Sequence, residues 1–289
     1  MKRFILIFPI TLILAGCASQ STTVDAPEIS PFSFEDHEDL LSTVEQLGMQ
    51  SLEEEELHLH TGVDDEFLYI VADIRNRNIQ RKVEDYGLRI AIESEANWLS
   101  LTYPIGLVEA LRDFPDAAVS YIMDPSWVDD PQNESTLEQA RHDRENRALL
   151  AQEPDESPIQ ITLTELHAQN LRTTVRDNQG FYTIAYRIPL EGGRNQQFSP
   201  EARHDEQLSV NVSVNPPSAE ELTGEELSSG ASGSNVGGNM MGGNMGQRGQ
   251  GRQGQQQEEE TTMADRVDRM LGSGYSTEFH IQLGVQGQN

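Results

Sequence analysis

The chain has 289 residues, and its 48 acidic side chains against 20 basic ones give a formal net charge of −28. That charge excludes a protein whose affinity comes from neutralising nucleic-acid phosphates, because such a protein needs a basic surface. Hydrophobic residues make up 36% of the chain, below the ~45–50% usual for globular domains, so part of it is expected to lie outside any core.

Residues 1–16 begin with Met1-Lys2-Arg3 and continue as a largely apolar run from Phe4 to Gly16. The run is too short for a membrane-spanning helix, which needs ~20 residues, and has the length of a secretory core of ~7–15, so it reads as an export signal. Leu14-Ala15-Gly16-Cys17 at its end resembles the lipobox of bacterial lipoproteins. That resemblance implies cleavage before Cys17, acylation of its thiol and attachment to a membrane through the N-terminal lipid. Cys17 is the chain's one cysteine, which leaves no thiol for a disulfide or a metal. Ala18 and Ser19 stand where enteric bacteria use an aspartate to hold lipoproteins in the inner membrane. The expected address is therefore the outer membrane, on its periplasmic face or at the cell surface.

Residues 17–50 read as a lipidated tether followed by a short helix. Ala18 to about Ser33 is rich in small polar residues and has no periodicity, whereas Leu40, Leu41, Val44 and Leu47 recur at helical spacing, with Gly48 placed to end the helix. From residue 51 to 289 a single β domain is expected. Leu57 and Leu59 alternate with His58 and His60, and Tyr86, Leu88, Ile90 and Ile92 alternate with Gly87, Arg89, Ala91 and Glu93. The same period of two recurs in Tyr182–Leu190, Leu208–Val214 and Phe279–Val285. Phe67–Ala72 is apolar on both faces, as a central strand covered on both sides would be. Seven or more such strands predict an all-β fold, an antiparallel β-sandwich with short helical insertions.

Two segments interrupt the strands. Ser135 and Glu138 have capping-box spacing and predict an exposed helix over about 136–150. Residues 228–257 hold glycines among Ser, Asn, Met and Gln and predict a disordered loop, followed by a short helix through Met263, Val267, Met270 and Leu271. The last strand lies beyond that loop, so it is an insertion within one domain.

Four landmarks in order then resemble a known family: Asp65–Ile74, Gln80-Arg81 leading to Tyr86-Gly87-Leu88, Tyr103-Pro104-Ile105-Gly106, and Phe181 through Ile188-Pro189-Leu190. Together they are similar to the jelly-roll sandwiches of family 9 carbohydrate-binding modules and their DOMON-like relatives, over roughly residues 50–285. The resemblance extends to lipoproteins of the Bacteroidetes type that share a glycine-rich insertion before the last strand. It implies a ligand-binding or interaction role without catalysis, with a glycan or an envelope protein as partner. The competing class is a structural or assembly component of the outer membrane with no sugar ligand.

Family 9 modules clamp sugar between aromatic rings, and this chain has two tryptophans, Trp98 on a candidate strand and Trp127 in the loop Asp124-Pro125-Ser126-Trp127. Trp127, Trp98, Tyr103 and Tyr121 are the candidate ligand-binding residues. His58 and His60 point to one face of a strand but lack a third metal ligand, and Asp64-Asp65-Glu66 and Asp129-Asp130 lack the spaced calcium-loop pattern. Nucleophile elbows and phosphate loops are missing from the sequence, and no catalytic residue, cofactor or metal set is assigned. The acidic surplus has two readings, a surface for cations or basic partners and the solvated surface of a salt-adapted protein. Its even spread and the near-absence of lysine favour the second.

Overall fold

The computed structural model describes residues 22–33, 40–53, 57–178, 181–193, 196–203, 205–216 and 274–283. In chain order these form β1 (Thr22–Ala26), α1 (Leu40–Leu47), β2 (Gln50–Glu53), β3 (Leu57–Val63), β4 (Phe67–Ile74) and α2 (Arg77–Tyr86). Next come β5 (Gly87–Glu93), β6 (Trp98–Ile105), α3 (Leu107–Ala110), α4 (Pro115–Met123) and α5 (Glu134–Asn146). The remainder are β7 (Arg147–Ala151), β8 (Ile159–Thr162), α6 (Leu163–Ala168), β9 (Arg172–Asn178), β10 (Phe181–Pro189), β11 (Gln207–Val214) and β12 (Tyr275–Leu283).

The strands build a seven-stranded sheet in the order β1-β12-β11-β5-β6-β7-β8 and a five-stranded sheet in the order β2-β3-β4-β10-β9. Alternation decides which residues meet between them. Leu88, Ile90, Leu101, Val210, Val212 and Ile281 of the larger sheet share one buried core with Leu57, Leu59, Ile70, Ile184 and Ile188 of the smaller. The outer face of the smaller sheet is covered by α1, whose Leu40 and Val44 pack on Tyr69 and Val71 of β4. That second layer is why Phe67–Ala72 is apolar on both faces. Helix α1 ends at Gly48, whose φ of +69° is a conformation only glycine adopts without strain.

Several elements differ from their sequence signals. Residues 22–26, expected within a tether, form β1, and the pairing with β12 is parallel, so the sandwich is not wholly antiparallel. Val24 and Ala26 are its only inward residues, too few for alternation to register, and the partner strand lies about 250 residues away in sequence. Tyr86 ends α2 and does not begin a strand. The polar helix begins at Glu134 and ends at Asn146, and 147–151 is a strand. The Ser135–Glu138 capping box is not formed, since Asn133 is the N-cap and two 3-10 turns, Pro125–Asp129 and Pro131–Asn133, lead into the helix. A capping box does form at α6, where Thr162 and Glu165 bond reciprocally. The signal segment, Cys17, the glycine-rich stretch 228–257 and the helix expected at Met263–Leu271 lie outside the described residues.

A polar contact through the core joins the two sheets. Between Gly87 and Arg89 the β5–β6 register shifts, so that Leu88 faces both Tyr103 and Pro104. Pro104 has no N–H to give the ladder. The hydroxyl of Tyr186, fully buried on β10 of the opposite sheet, crosses the core and donates to the Tyr103 carbonyl at 2.5 Å, with the Leu88 carbonyl 3.3 Å away. Burial raises the Tyr186 pKa well above the ordinary tyrosine value, which keeps the hydroxyl a donor. Tyr186→Phe removes that donor while keeping the ring. It is expected to cost about 1–3 kcal/mol in chemical denaturation with no change of fold, and a loss below about 0.5 kcal/mol would show that the interrupted ladder needs no donor from the other sheet.

Candidate functional site

The register shift that receives Tyr186 also sets where the helices leave the larger sheet. Gly87 starts β5 directly after α2, Ile105 ends β6 directly before α3, and the two residues are paired. The end of α2 and the start of α3 are therefore neighbours. They touch backbone to backbone: a Cβ on Gly106 would lie 2.3 Å from both the Asp85 carbonyl oxygen and the Tyr86 Cα. Gly87, at φ +84°, is equally confined, with the Pro104 carbonyl oxygen 2.6 Å from where its Cβ would stand.

Helix α4 completes the site. Its Tyr121 hydroxyl donates to Asp85 Oδ1 at 2.5 Å, tying α4 to the last turn of α2. Between α2, α3 and α4 lies a cleft of about 470 Å³. Ile79, Val108 and Ile122 give it an apolar floor, and Tyr86 and Tyr121 contribute ring surface. Asn78, Arg81, Lys82 and Asp85 add polar groups from one face of α2, with Pro125 at the rim. Helix α2 holds this place with two apolar anchors, Ile79 and Val83, and an N-cap in which Asn76 accepts from the Asn78 N–H at 2.8 Å.

Asp85 is the chemically distinctive group. Burial raises its pKa above the usual carboxylate value, an effect that the Tyr121 hydrogen bond and the charges of Arg81 and Arg144 partly offset. Burial, reinforced by the bond to Asp85, likewise raises the Tyr121 pKa. Arg81 approaches Asp85 Oδ2 only to 3.9 Å, with its own side chain 68% exposed against 18% for the aspartate.

The four candidate aromatic residues do not share one groove. Tyr121 lines the cleft. Trp127 is partly buried in the 3-10 turn after α4, packed with Tyr121 against the cluster that holds Ala118 and Ala140. Trp98 is half-buried at the start of β6 on the other side of its sheet from the core, with the Arg89 guanidinium 5.6 Å from its ring centroid. Tyr103 is part of the sandwich core, where burial pushes its hydroxyl pKa up to about 12. The sequence reading passed over Asn78, Arg81, Lys82, Asp85 and Tyr86 as site residues. Their signal was charge: four of the chain's 20 basic residues fall within residues 75–82, which contain no acid.

The other polar groups serve the fold. Asp64 pins the β3–β4 turn, its Oδ1 accepting from the N–H groups of Glu66 and Phe67 at 2.8 and 2.7 Å and its Oδ2 from the Tyr69 hydroxyl at 2.6 Å. Asp130 accepts from the Gln132 N–H at the start of a 3-10 turn. His58 and His60 share the outer face of the smaller sheet, with His58 opposite Asp73 and His60 Nδ1 2.8 Å from the Ser51 hydroxyl. Burial lowers the His60 pKa. Among the described residues, no group of three or more His, Cys, Asp or Glu side chains is arranged to hold a metal.

No protein family model and no curated protein matches the chain. Two solved structures are similar to it, both of a carbohydrate-binding module of family 9 from Caldicellulosiruptor kristjanssonii, one in complex with cellotriose and one with glucose. Each has 8% sequence identity and a TM-score of 0.32, covering 67% of this chain and 76% and 78% of those chains. Similarity at this level assigns no ligand position to any residue here.

The Asp85–Tyr121 pair yields a prediction that separates fold from site. Asp85→Asn keeps an acceptor for Tyr121 and gives up only the charge attraction of Arg81, 3.9 Å away and exposed, and of Arg144, so at neutral pH it is expected to unfold within about 1 kcal/mol of the wild type. The raised native pKa means that the folded state binds a proton more tightly than the unfolded chain. The carboxyl's contribution to stability therefore falls as pH rises from the ordinary carboxylate value through the raised one. The asparagine does not ionise, so thermal unfolding from acid to neutral pH should move in favour of the variant. A loss of more than about 2 kcal/mol at neutral pH would mark the carboxylate as part of the fold.

Proposed function

We propose that the chain is a non-catalytic glycan-binding lipoprotein of the cell envelope, a sandwich of the family 9 carbohydrate-binding kind, whose ligand lies in the cleft between α2, α3 and α4. One observation carries this reading: two tyrosine rings and four polar side chains converge on a concavity of about 470 Å³. A sugar presents an apolar C–H face and a rim of hydroxyls, and its recognition needs ring surface beside hydrogen-bonding groups in one concave place. Binding sites for small ligands span about 300–1,000 Å³. Hydrolysis of a glycoside needs two carboxyl groups across the bond, and Asp85 is the one carboxylate among the described residues lining the cleft.

A glycan array probed with the full-length protein tests the reading. Tyr121→Ala is expected to weaken binding at least about tenfold, as loss of a stacking ring does, while Trp98→Ala, on another face of the molecule, leaves it unchanged. Binding lost in Trp98→Ala and kept in Tyr121→Ala would move the site to the outer face of the larger sheet. No glycan binding by the folded wild type would favour a structural component of the envelope.

The envelope address rests on the sequence at Leu14–Cys17. Metabolic labelling with a fatty-acid analogue is expected to tag the wild type and not Cys17→Ala, which should also stay unprocessed. Equal labelling of both proteins would remove the lipid anchor from this account.

A further inference from the structure

We propose that the cleft selects an anionic sugar, a glycan bearing carboxylate or sulfate groups, with Arg81 and Lys82 meeting its acid group and Tyr86 and Tyr121 lying against its ring. This rests on the reading of the cleft as a glycan site and adds the class of glycan.

The argument begins with charge. A molecule of net charge −28 repels anions over most of its surface, so an anionic ligand can approach only where the local field is reversed. Basic residues are scarce, and Lys82 is the chain's one lysine beyond Lys2. Two adjacent cations, Arg81 and Lys82, nevertheless line the same cleft. A neutral sugar can accept hydrogen bonds from these side chains, but only an anionic one also gains from their charge.

The geometry then leaves Arg81 available to a ligand. Arg81 is 68% exposed, and 3.9 Å from Asp85 is beyond hydrogen-bonding distance. A guanidinium in that state keeps donors for a carboxylate or a sulfate, which it can engage with two parallel bonds. The cleft's own carboxylate does not occupy them. Asp85 is set back, bonded to the Tyr121 hydroxyl and within the field of Arg144 as well as Arg81. At the rim, Asp124 is tied to Ser126 through both that residue's N–H and its hydroxyl. Glu84 lies exposed one residue before Asp85.

Calorimetric titration of the full-length protein at low ionic strength tests the proposal with four probes: a neutral oligosaccharide, an oligogalacturonate of the same length, a sulfated oligosaccharide, and inorganic sulfate. At least one acidic oligosaccharide should bind ten times more tightly than the neutral one and weaken as salt is added, and the preferred acid group identifies the source of the charge. Arg81→Gln, a substitution at an exposed position whose folding is checked by thermal melting, should lose tenfold for the acidic sugar and little for the neutral one, with Lys82→Gln acting in the same direction. Equal affinity for acidic and neutral sugars, unchanged in Arg81→Gln, would overturn the anionic assignment and leave the glycan site standing. Inorganic sulfate binding as tightly as the sulfated sugar would also overturn it, since the site would then recognise an anion without a ring. Failure of every probe to bind folded protein would remove the glycan reading and this inference together.

Discussion

The hydroxyl of Tyr186 reaches across the sandwich, and the arrangement of the larger sheet depends on where it lands. It meets the Tyr103 and Leu88 carbonyls at the point where β6 carries an extra residue relative to β5. A bulge increases local twist and bends the strand that bears it, and here it brings Gly87 and Ile105 into register as the last pair of the ladder. The helices on either side, α2 and α3, must then leave side by side, close enough that only glycine fits at position 106. The position of the cleft thus follows from a hydrogen bond in the core, through a bulge, to a glycine contact. Substitutions in any of the three would be felt at Asp85 and Tyr86.

Strands were legible in the sequence wherever one face is core and the other is not. Tyr182–Leu190 and Leu208–Val214 alternate because every second residue, such as Ile184, Tyr186 and Ile188 of β10 and Val210 and Val212 of β11, faces the core between the sheets. β4 reads as apolar through Ala72 and then turns polar at Asp73. Helix α1 covers Tyr69 and Val71, whereas Asp73 is buried and pairs with Arg75 at 2.7 Å. Edge elements were silent. β1 and β8 lie at the two edges of the larger sheet, and with five and four residues neither is long enough to display a period.

The site was harder to read than the fold, and for a physical reason. Helix α2 has two buried residues, Ile79 and Val83, so few apolar side chains mark it in the sequence. Aromatic residues drew attention because they are few, yet ring type says nothing of depth. Tyr103 alternates with Leu101 and Leu99 and shares their burial, while Tyr121 projects from α4 toward the partner helix. The landmarks Tyr86-Gly87-Leu88 and Tyr103-Pro104-Ile105-Gly106, taken from the sequence as signs of a fold, turn out to be the two sides of one contact: the bulge and the glycine approach beneath the cleft.

Asp85 and Tyr121 also show how a cleft can be built at a cost to the fold. A half-buried carboxylate whose pKa is raised by desolvation is a poorer contributor to stability than a neutral side chain of the same shape. An asparagine would serve the helix contact as well, and a leucine would fill the space with less loss of hydration. A carboxylate there, bonded by a tyrosine and within the field of Arg81 and Arg144, holds an array of charged and hydrogen-bonding groups in place at the cleft. In a chain so strongly acidic, most carboxylates can be solvated without consequence. The one set into a helix–helix contact beside the chain's scarce cations is the one whose position asks for a functional explanation.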